Sequence, residues 1–187
     1  DVSELVRRRV VRGRSDCCWT TSIFGVDTAG EANLRESLAC RQCKLINRVR
    51  LLYRAMLESN ATPDAGPFYL LEHLSELHAR LEERFGRFTA SEYLPDAGDS
   101  GSVTALHGRH VVHQDLQRTS FGDDSFATVV HAEVLEHVPN HRTAMRELFR
   151  ILRPGGVTVF TVPFMETRSL HLVRAVVDDR GRIHHLL

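Results

Sequence analysis

The chain has 187 residues, 42% of them apolar, and its 24 basic side chains are matched by 24 acidic ones. That apolar share suffices for a globular core, while a formal net charge of +0 argues against broad electrostatic capture of nucleic acid or anionic membrane. No run approaches the roughly 18 to 20 apolar residues that span a bilayer. The first twenty residues are arginine-rich and lack the apolar core of a secretory leader. A cytoplasmic location is therefore expected, with the four cysteines reduced or metal-bound.

The chain divides into three regions. In the first, Arg7, Arg8, Arg9, Arg12 and Arg14 form a local basic run, read as a solvated, frayed terminus. Cys17 and Cys18 are adjacent, and Cys40-Arg41-Gln42-Cys43 is a C-x-x-C. Two such pairs would be a strong zinc signal. Cys17, Cys40 and Cys43 are the candidate ligands of a structural zinc, since neighbouring side chains diverge and both members of the adjacent pair are not expected on one ion. Reduced, packed cysteines are the preferred reading, with the zinc site as the alternative. Redox chemistry is disfavoured, because no βαβ context surrounds the C-x-x-C. Leu45, Val49, Leu52, Met56 and Leu57 recur at helical spacing. Ser59 to Pro67 has the composition of a linker. The expected domain boundaries are 1–60 for this cysteine-containing helical region and 68–187 for the remainder of the chain.

The second region alternates strand and helix. Phe68 to Glu72 is a short apolar run, read as a buried strand. Ser75 can cap the next helix, with Glu76 in its first turn, Leu77, Leu81 and Phe85 along one side and Gly86 at its end. Phe88 to Leu94 predicts a second strand, Pro95 to Gly108 a loop, His110 to Asp115 a third strand and Phe126 to Glu133 a fourth. A helix over His141–Leu152 would bury Met145, Leu148, Phe149 and Leu152. Arg153-Pro154-Gly155-Gly156 stops it before a β-branched fifth strand, Val157 to Val162. Strands separated by helices indicate a parallel sheet with covering helices. In the third region, Val173–Val177 and Ile183–Leu187 flank Asp178-Asp179-Arg180-Gly181, a hairpin signal.

The run HQDLQRTSFGDDSFATVVHAEVLEHVPNHRTAMRELFRILRPGGVTVFTVPF, His113 to Phe164, resembles the second half of the cofactor domain of class I, S-adenosylmethionine-dependent methyltransferases of the type 11-like group. An acid after strand three, a Ser-Phe-Asp-like turn, strand four, a Leu-Glu-His-Val segment, a helix, a Pro-Gly-Gly turn and strand five recur in order. The stretch YLLEHLSELHARLEERFGRFTASEYL is similar to strand one, helix A and strand two of members with an atypical first motif. The resemblance implies an α/β, doubly wound, mostly parallel Rossmann-like sheet, with S-adenosyl-L-methionine across the carboxyl ends of its strands.

It also implies roles. Glu92, at the end of strand two, matches the acid that accepts from the ribose hydroxyls. Asp115 matches the acid near the adenine amino group, with Leu116 beside it. Glu72 falls at the end of strand one, near the methionine moiety. His131 and Glu133 close strand four near the sulfonium and the acceptor, with His131 the candidate general base. Glu136 and His137 come next, in the turn beyond the strand.

This chain departs from the pattern in three ways. Leu71-Glu72-His73-Leu74-Ser75 replaces the glycine-rich loop. Ala127 stands where most members carry aspartate. The sequence starts on Asp1 and stops before the family's last strands, so it is expected to be part of a longer chain. The segment from Arg35 to Arg48 resembles a cysteine-knuckle module found ahead of some methyltransferase domains.

Function is thus expected to be methyl transfer from S-adenosylmethionine to a small-molecule or glycan acceptor, without nucleic-acid or membrane partners. A catalytically inactive, methyltransferase-like binding module is the alternative, motivated by the missing glycine loop. A nicotinamide oxidoreductase is disfavoured because no G-x-G-x-x-G comes after the first strand.

Overall fold

The computed structural model describes residues 9–26, 33–164, 175–178 and 183–186. The first region holds β1 (Val10–Ser15), β2 (Thr20–Gly25) and β3 (Ala39–Cys40) in an antiparallel sheet, followed by α1 (Asn47–Glu58). The second holds β4 (Phe68–Leu70), α2 (Glu76–Phe85), β5 (Thr89–Ala90), β6 (Val103–Leu106), β7 (Arg109–Val112), β8 (Phe126–Ala132), α3 (His141–Ile151) and β9 (Leu152–Thr161). β10 (Ala175–Val177) and β11 (Ile183–His185) pair antiparallel, as the hairpin signal predicts, around a turn that lies outside the described residues.

The central sheet runs β5-β4-β8-β9, all parallel. Beyond β7 the chain reaches its outer edge through one parallel bridge, Glu92 to His113. Two backbone bonds reinforce it, Glu92 N–H to Val112 O at 2.9 Å and Gln114 N–H to Glu92 O at 3.1 Å. The chain therefore starts in the middle, steps outward to β5 and the β7 extension, then crosses to β8 and β9. That reversal makes the fold a doubly wound Rossmann-like sheet, and the crevice at the strand ends lies between β4 and β8.

Alternation along the strands assigns the two faces. Phe68, Leu70 and Val130 join Leu77 and Leu81 of α2 and Leu52, Tyr53 and Met56 of α1 in one core. Tyr69 and Val129 point the other way, onto Phe126 and onto Ala144, Leu148 and Ile151 of α3. A period of two sends neighbours to opposite faces, so a continuous apolar run is what a strand covered on both sides requires. The Tyr69 hydroxyl, fully buried, is satisfied by Ser91 Oγ at 2.6 Å. Phe24, Cys40, Cys43 and Leu45 belong to the first of these cores. The cysteine region and the sheet thus share one interior.

Helix ends obey local chemistry. Ser75 Oγ accepts from His78 N–H at 3.1 Å, and Gly86 ends α2 at φ 76°, both as the sequence predicts. Asn140 caps α3 through Thr143 N–H. At the end of α3, Gly156 is enforced by space: a Cβ there would lie 2.9 Å from Arg153 O and 3.1 Å from Ala127 O.

Several expectations change. The arginine run is in part a strand: Arg12 and Arg14 alternate outward on β1 while Ser15 is buried; Arg7 and Arg8 lie outside the described residues. Pro95–Gly108 is not all loop, since β6 within it pairs antiparallel with β7. Strand two is shorter than Phe88–Leu94. The linker is packed, with Ala61 and Thr62 buried. α3 buries Ala144, Leu148 and Ile151, whereas Phe149 is 83% and Met145 41% exposed. Only Leu148 of the expected face is in the core; small Ala144 sets the face and lets the helix approach the sheet closely. Leu152 is already strand, and Arg153–Gly156 bulge out between the Phe126–Leu152 and Thr128–Val157 pairs.

Candidate active site at the carboxyl ends of the sheet

Glu72 lies two residues beyond β4, beside the crevice. Its Oε1 is buried without a hydrogen-bond partner. Burial pushes its pKa up to about 7, against opposing hydrogen bonds from Ser75 and the Ala132 backbone. A carboxyl poised this way accepts a cation or a donor at low desolvation cost, because the cost is already borne by the fold.

Glu92 sits on the adjoining strand. Its Oε2 accepts from Leu74 N–H at 3.2 Å, so the carboxylate holds the loop that stands in place of the glycine-rich turn. Burial raises its pKa, and the backbone donors Leu74 and His73 oppose that rise. His73 N–H is itself bonded to Ser91 O at 3.0 Å, and the His73 ring stacks on His78 at 4.6 Å. A groove of about 400 Å³ runs past Leu74, Ser75, Glu76, Ala79, His107 and Arg109.

Asp115, two residues past the His113 bridge, completes the row. Its N–H donates to Ser100 Oγ at 3.0 Å. Its Oδ1 accepts from Gln117 N–H at 2.8 Å, closing an Asx turn. Leu116 is buried against Tyr69 and α3. Glu92 and Asp115 therefore stand on adjacent parallel segments, with Glu72 on the next strand inward.

The end of β8 is built differently. His131 has no exposed surface, lies flat against Phe160 at 4.9 Å and has no hydrogen-bond partner on either ring nitrogen. Burial lowers its pKa to about 4, which keeps it neutral. Glu133, at φ 55°, forms an ion pair with Arg35 at 2.5 Å. Arg35 also donates to Val162 O at 3.0 Å and to Glu36 at 2.6 Å, and Glu36 is paired with Arg48 at 2.8 Å. The cysteine region thus reaches over the carboxyl ends of β8 and β9. Arg35 has no local signal as a site residue, since its partner is 98 positions away. Glu136 is part-buried, which raises its pKa, while His137 is largely exposed.

The four cysteines converge at the far end of the first region. Sγ atoms of Cys17, Cys18 and Cys43 lie within 4.8 Å of one another, and Cys18 Sγ is 3.7 Å from Cys40 Sγ. The adjacent pair does not diverge as expected. The turn Asp16–Trp19, with Trp19 at φ 56°, brings both sulfurs inward.

Residues 74–160 match the family model described as a methyltransferase domain. Over this segment the chain is similar to that family. A demethylmenaquinone methyltransferase of Staphylococcus haemolyticus is 40% identical over 76 residues, 40% of this chain and 32% of that protein. Its counterpart in Geobacillus stearothermophilus is 35% identical over 54 residues, 29% of this chain and 23% of that protein. The chain thus spans a third or less of these relatives. Among solved structures, a putative sarcosine dimethylglycine methyltransferase from Galdieria sulphuraria aligns at TM-score 0.43 and 16% identity, over 70% of this chain and 54% of that one. The complex of the Haloferax volcanii Trm112 methyltransferase activator with a putative methyltransferase aligns at TM-score 0.40 and 20% identity, over 60% and 54%. The matched residues cover β5 to β8, α2, α3 and most of β9; β4 and Glu72 lie just ahead of them. Among the described residues no helix is long and apolar enough to cross a membrane.

Proposed function

We propose that the chain carries the cofactor half of an S-adenosylmethionine-dependent methyltransferase acting on a small-molecule or glycan acceptor. The observation that carries this reading is the unpartnered, buried Oε1 of Glu72 beside the crevice where the sheet reverses direction. A buried carboxyl oxygen without a donor is costly, and the ammonium of the cofactor's methionine end has the charge to satisfy it. Glu92 would accept from the ribose hydroxyls through the carboxylate that already steadies the loop, and Asp115 from the adenine amino group, with Leu116 beneath. When bound, the cofactor supplies an electrophilic methyl group. This chain's residues orient it, exclude water and align the acceptor.

A base must touch the proton it removes. His131 is enclosed, so we assign it to the neutral floor of the site, stacked on Phe160, rather than to proton abstraction. Glu133 is the carboxylate nearer the acceptor side, its orientation fixed by Arg35.

Calorimetric titration of the chain with S-adenosylmethionine and S-adenosylhomocysteine tests the proposal. Binding of the cationic cofactor favours ionised Glu72. Affinity should therefore rise with pH up to about 7 and level off above it, by up to about tenfold per unit below the pKa. Glu72→Gln should flatten that dependence, and Glu92→Ala should weaken binding at every pH. Tight binding unaffected by either substitution would remove these residues from the site. A second reading, a binding module without catalysis, is favoured by the prior engagement of Glu92 with Leu74 and of Asp115 with Gln117. A folded chain that binds neither nucleoside supports that reading.

A further inference from the structure

We propose that Cys17, Cys18, Cys40 and Cys43 together bind one zinc ion, a structural site that clamps the β1–β2 turn to the knuckle after β3. Spacing is the first argument. Four sulfurs placed tetrahedrally at the usual zinc–sulfur distance of about 2.3 Å stand about 3.8 Å apart. Cys18 and Cys40 are separated by 3.7 Å, and Cys17, Cys18 and Cys43 lie within 4.8 Å of one another. A disulfide would need sulfurs at about 2.0 Å, and all four cysteines are free.

The second argument is how the sulfurs are held. Cys40 receives backbone hydrogen bonds from Gln42 and Cys43 and one from the side chain of Ser22, at 3.1 Å. Such donors fix the direction of a ligating sulfur before the ion arrives, as outer partners of a metal site do. On the opposite strand pair, Ser15 occupies the position that a C-x-x-C ending at Cys18 would give to its first cysteine. Ser15 is fully buried, accepts from Cys18 N–H at 3.4 Å and lies 3.9 Å from Cys43 Sγ. Cys17 stands in for the missing thiol because the tight turn aims it at the same point. A C-x-x-C scan overlooks this pair, since its spacing is wrong while its geometry is right.

The third argument is charge and stability. Four thiolates around a divalent cation leave two negative charges, and a cavity of about 400 Å³ beside Cys17, Cys18 and Cys43 is bordered by Arg80 and Arg84. Arg84 is anchored by the Tyr53 hydroxyl at 2.8 Å and by the faces of Trp19 and Phe85. The sheet of β1 to β3 gives Phe24 and Cys40 to the core it shares with the central sheet, a small apolar contribution to which a staple adds. Soft thiolate ligands in a closed tetrahedral set select zinc. On binding, each cysteine still protonated loses its S–H proton to solvent, the ion sheds its water, and no electron is transferred.

The test uses the full chain purified under reducing conditions. Stepwise blocking of thiols with a mercurial, with a colorimetric zinc indicator present, should release about one zinc per four thiols. Reconstitution with cobalt(II) should give thiolate-to-cobalt charge-transfer bands with tetrahedral d–d intensity. Cys17→Ser and Cys43→Ser should each weaken metal affinity by more than about tenfold, whereas Ser15→Ala should keep the stoichiometry. Protein that contains no zinc and whose four thiols stay freely reactive after equimolar zinc is added overturns the site. Cys17→Ser protein with an unchanged cobalt spectrum overturns the four-cysteine set. The release measurement needs only the wild-type chain, so it stands if a variant does not fold.

Discussion

The two faces of the central sheet and the small sheet of β1 to β3 are organised on different principles. The central sheet is held by apolar alternation: Phe68, Leu70 and Val130 on one side, Tyr69 and Val129 on the other. The β1–β3 sheet is held by a polar and thiol cluster of Ser15, Ser22 and the four cysteines. The first kind of order arises from period and burial, and tolerates conservative exchange of similar volumes. The second depends on a few sulfur positions, and loss of one changes the geometry of all.

Core truncation gives the largest expected effect. Leu148→Ala should cost about 2–5 kcal/mol in denaturant unfolding, and Phe149→Ala, one position along and exposed, within about 0.5 kcal/mol. Equal costs would contradict the observed face of α3.

Acid and base titration separates two buried groups of opposite sign. His131 keeps its proton off until about pH 4 in the folded chain, against 6.5 as the ordinary value. Its contribution is full above pH 6.5 and is lost as pH falls through about 4. Glu72 holds its proton up to about pH 7, against 4.5. Its contribution is full below 4.5 and is lost as pH rises through about 7. Each amounts to at most about 3 kcal/mol, and they oppose one another between pH 4.5 and 6.5. Glu72→Gln should therefore expose a monotonic loss of stability on acidification, measured as the midpoint of urea unfolding against pH. His131→Phe should leave the reverse slope.

Tyr69→Phe, which strands the buried Ser91 hydroxyl, should cost about 1–3 kcal/mol. Ser75→Ala, removing the cap of α2, should cost about 1 kcal/mol. It should also move the Glu72 titration upward, because Ser75 is one of the groups holding it down.

Legibility in the sequence shows the same division. Phe126–Ala132, α2 with its Ser75 and Gly86 ends, and the Pro-Gly-Gly turn are readable because burial, capping and glycine geometry are local. β1 and β2 are not, since Arg12, Gly13, Arg14, Thr20, Thr21 and Ser22 carry no apolar pattern. β6 is only half-buried and sits among loop-forming residues. The face of α3 is misleading in the sequence because Met145 and Phe149 outweigh Ala144 in any hydrophobic count. At the site, Glu72, Glu92 and Asp115 stand in recognisable order, but the contact of Arg35 with Glu133 joins distant parts of the chain, and no local pattern encodes it.

The interior shared by Leu52, Tyr53 and Met56 with Leu70, Leu77 and Leu81 has a practical consequence for anyone cutting or grafting this protein. A version starting at residue 68 would keep α2 but strip α1 from the same side of the sheet, uncovering part of an apolar surface that invites self-association. Moving the central sheet into another scaffold therefore means carrying α1 along with it, as a cover that packs on the sheet.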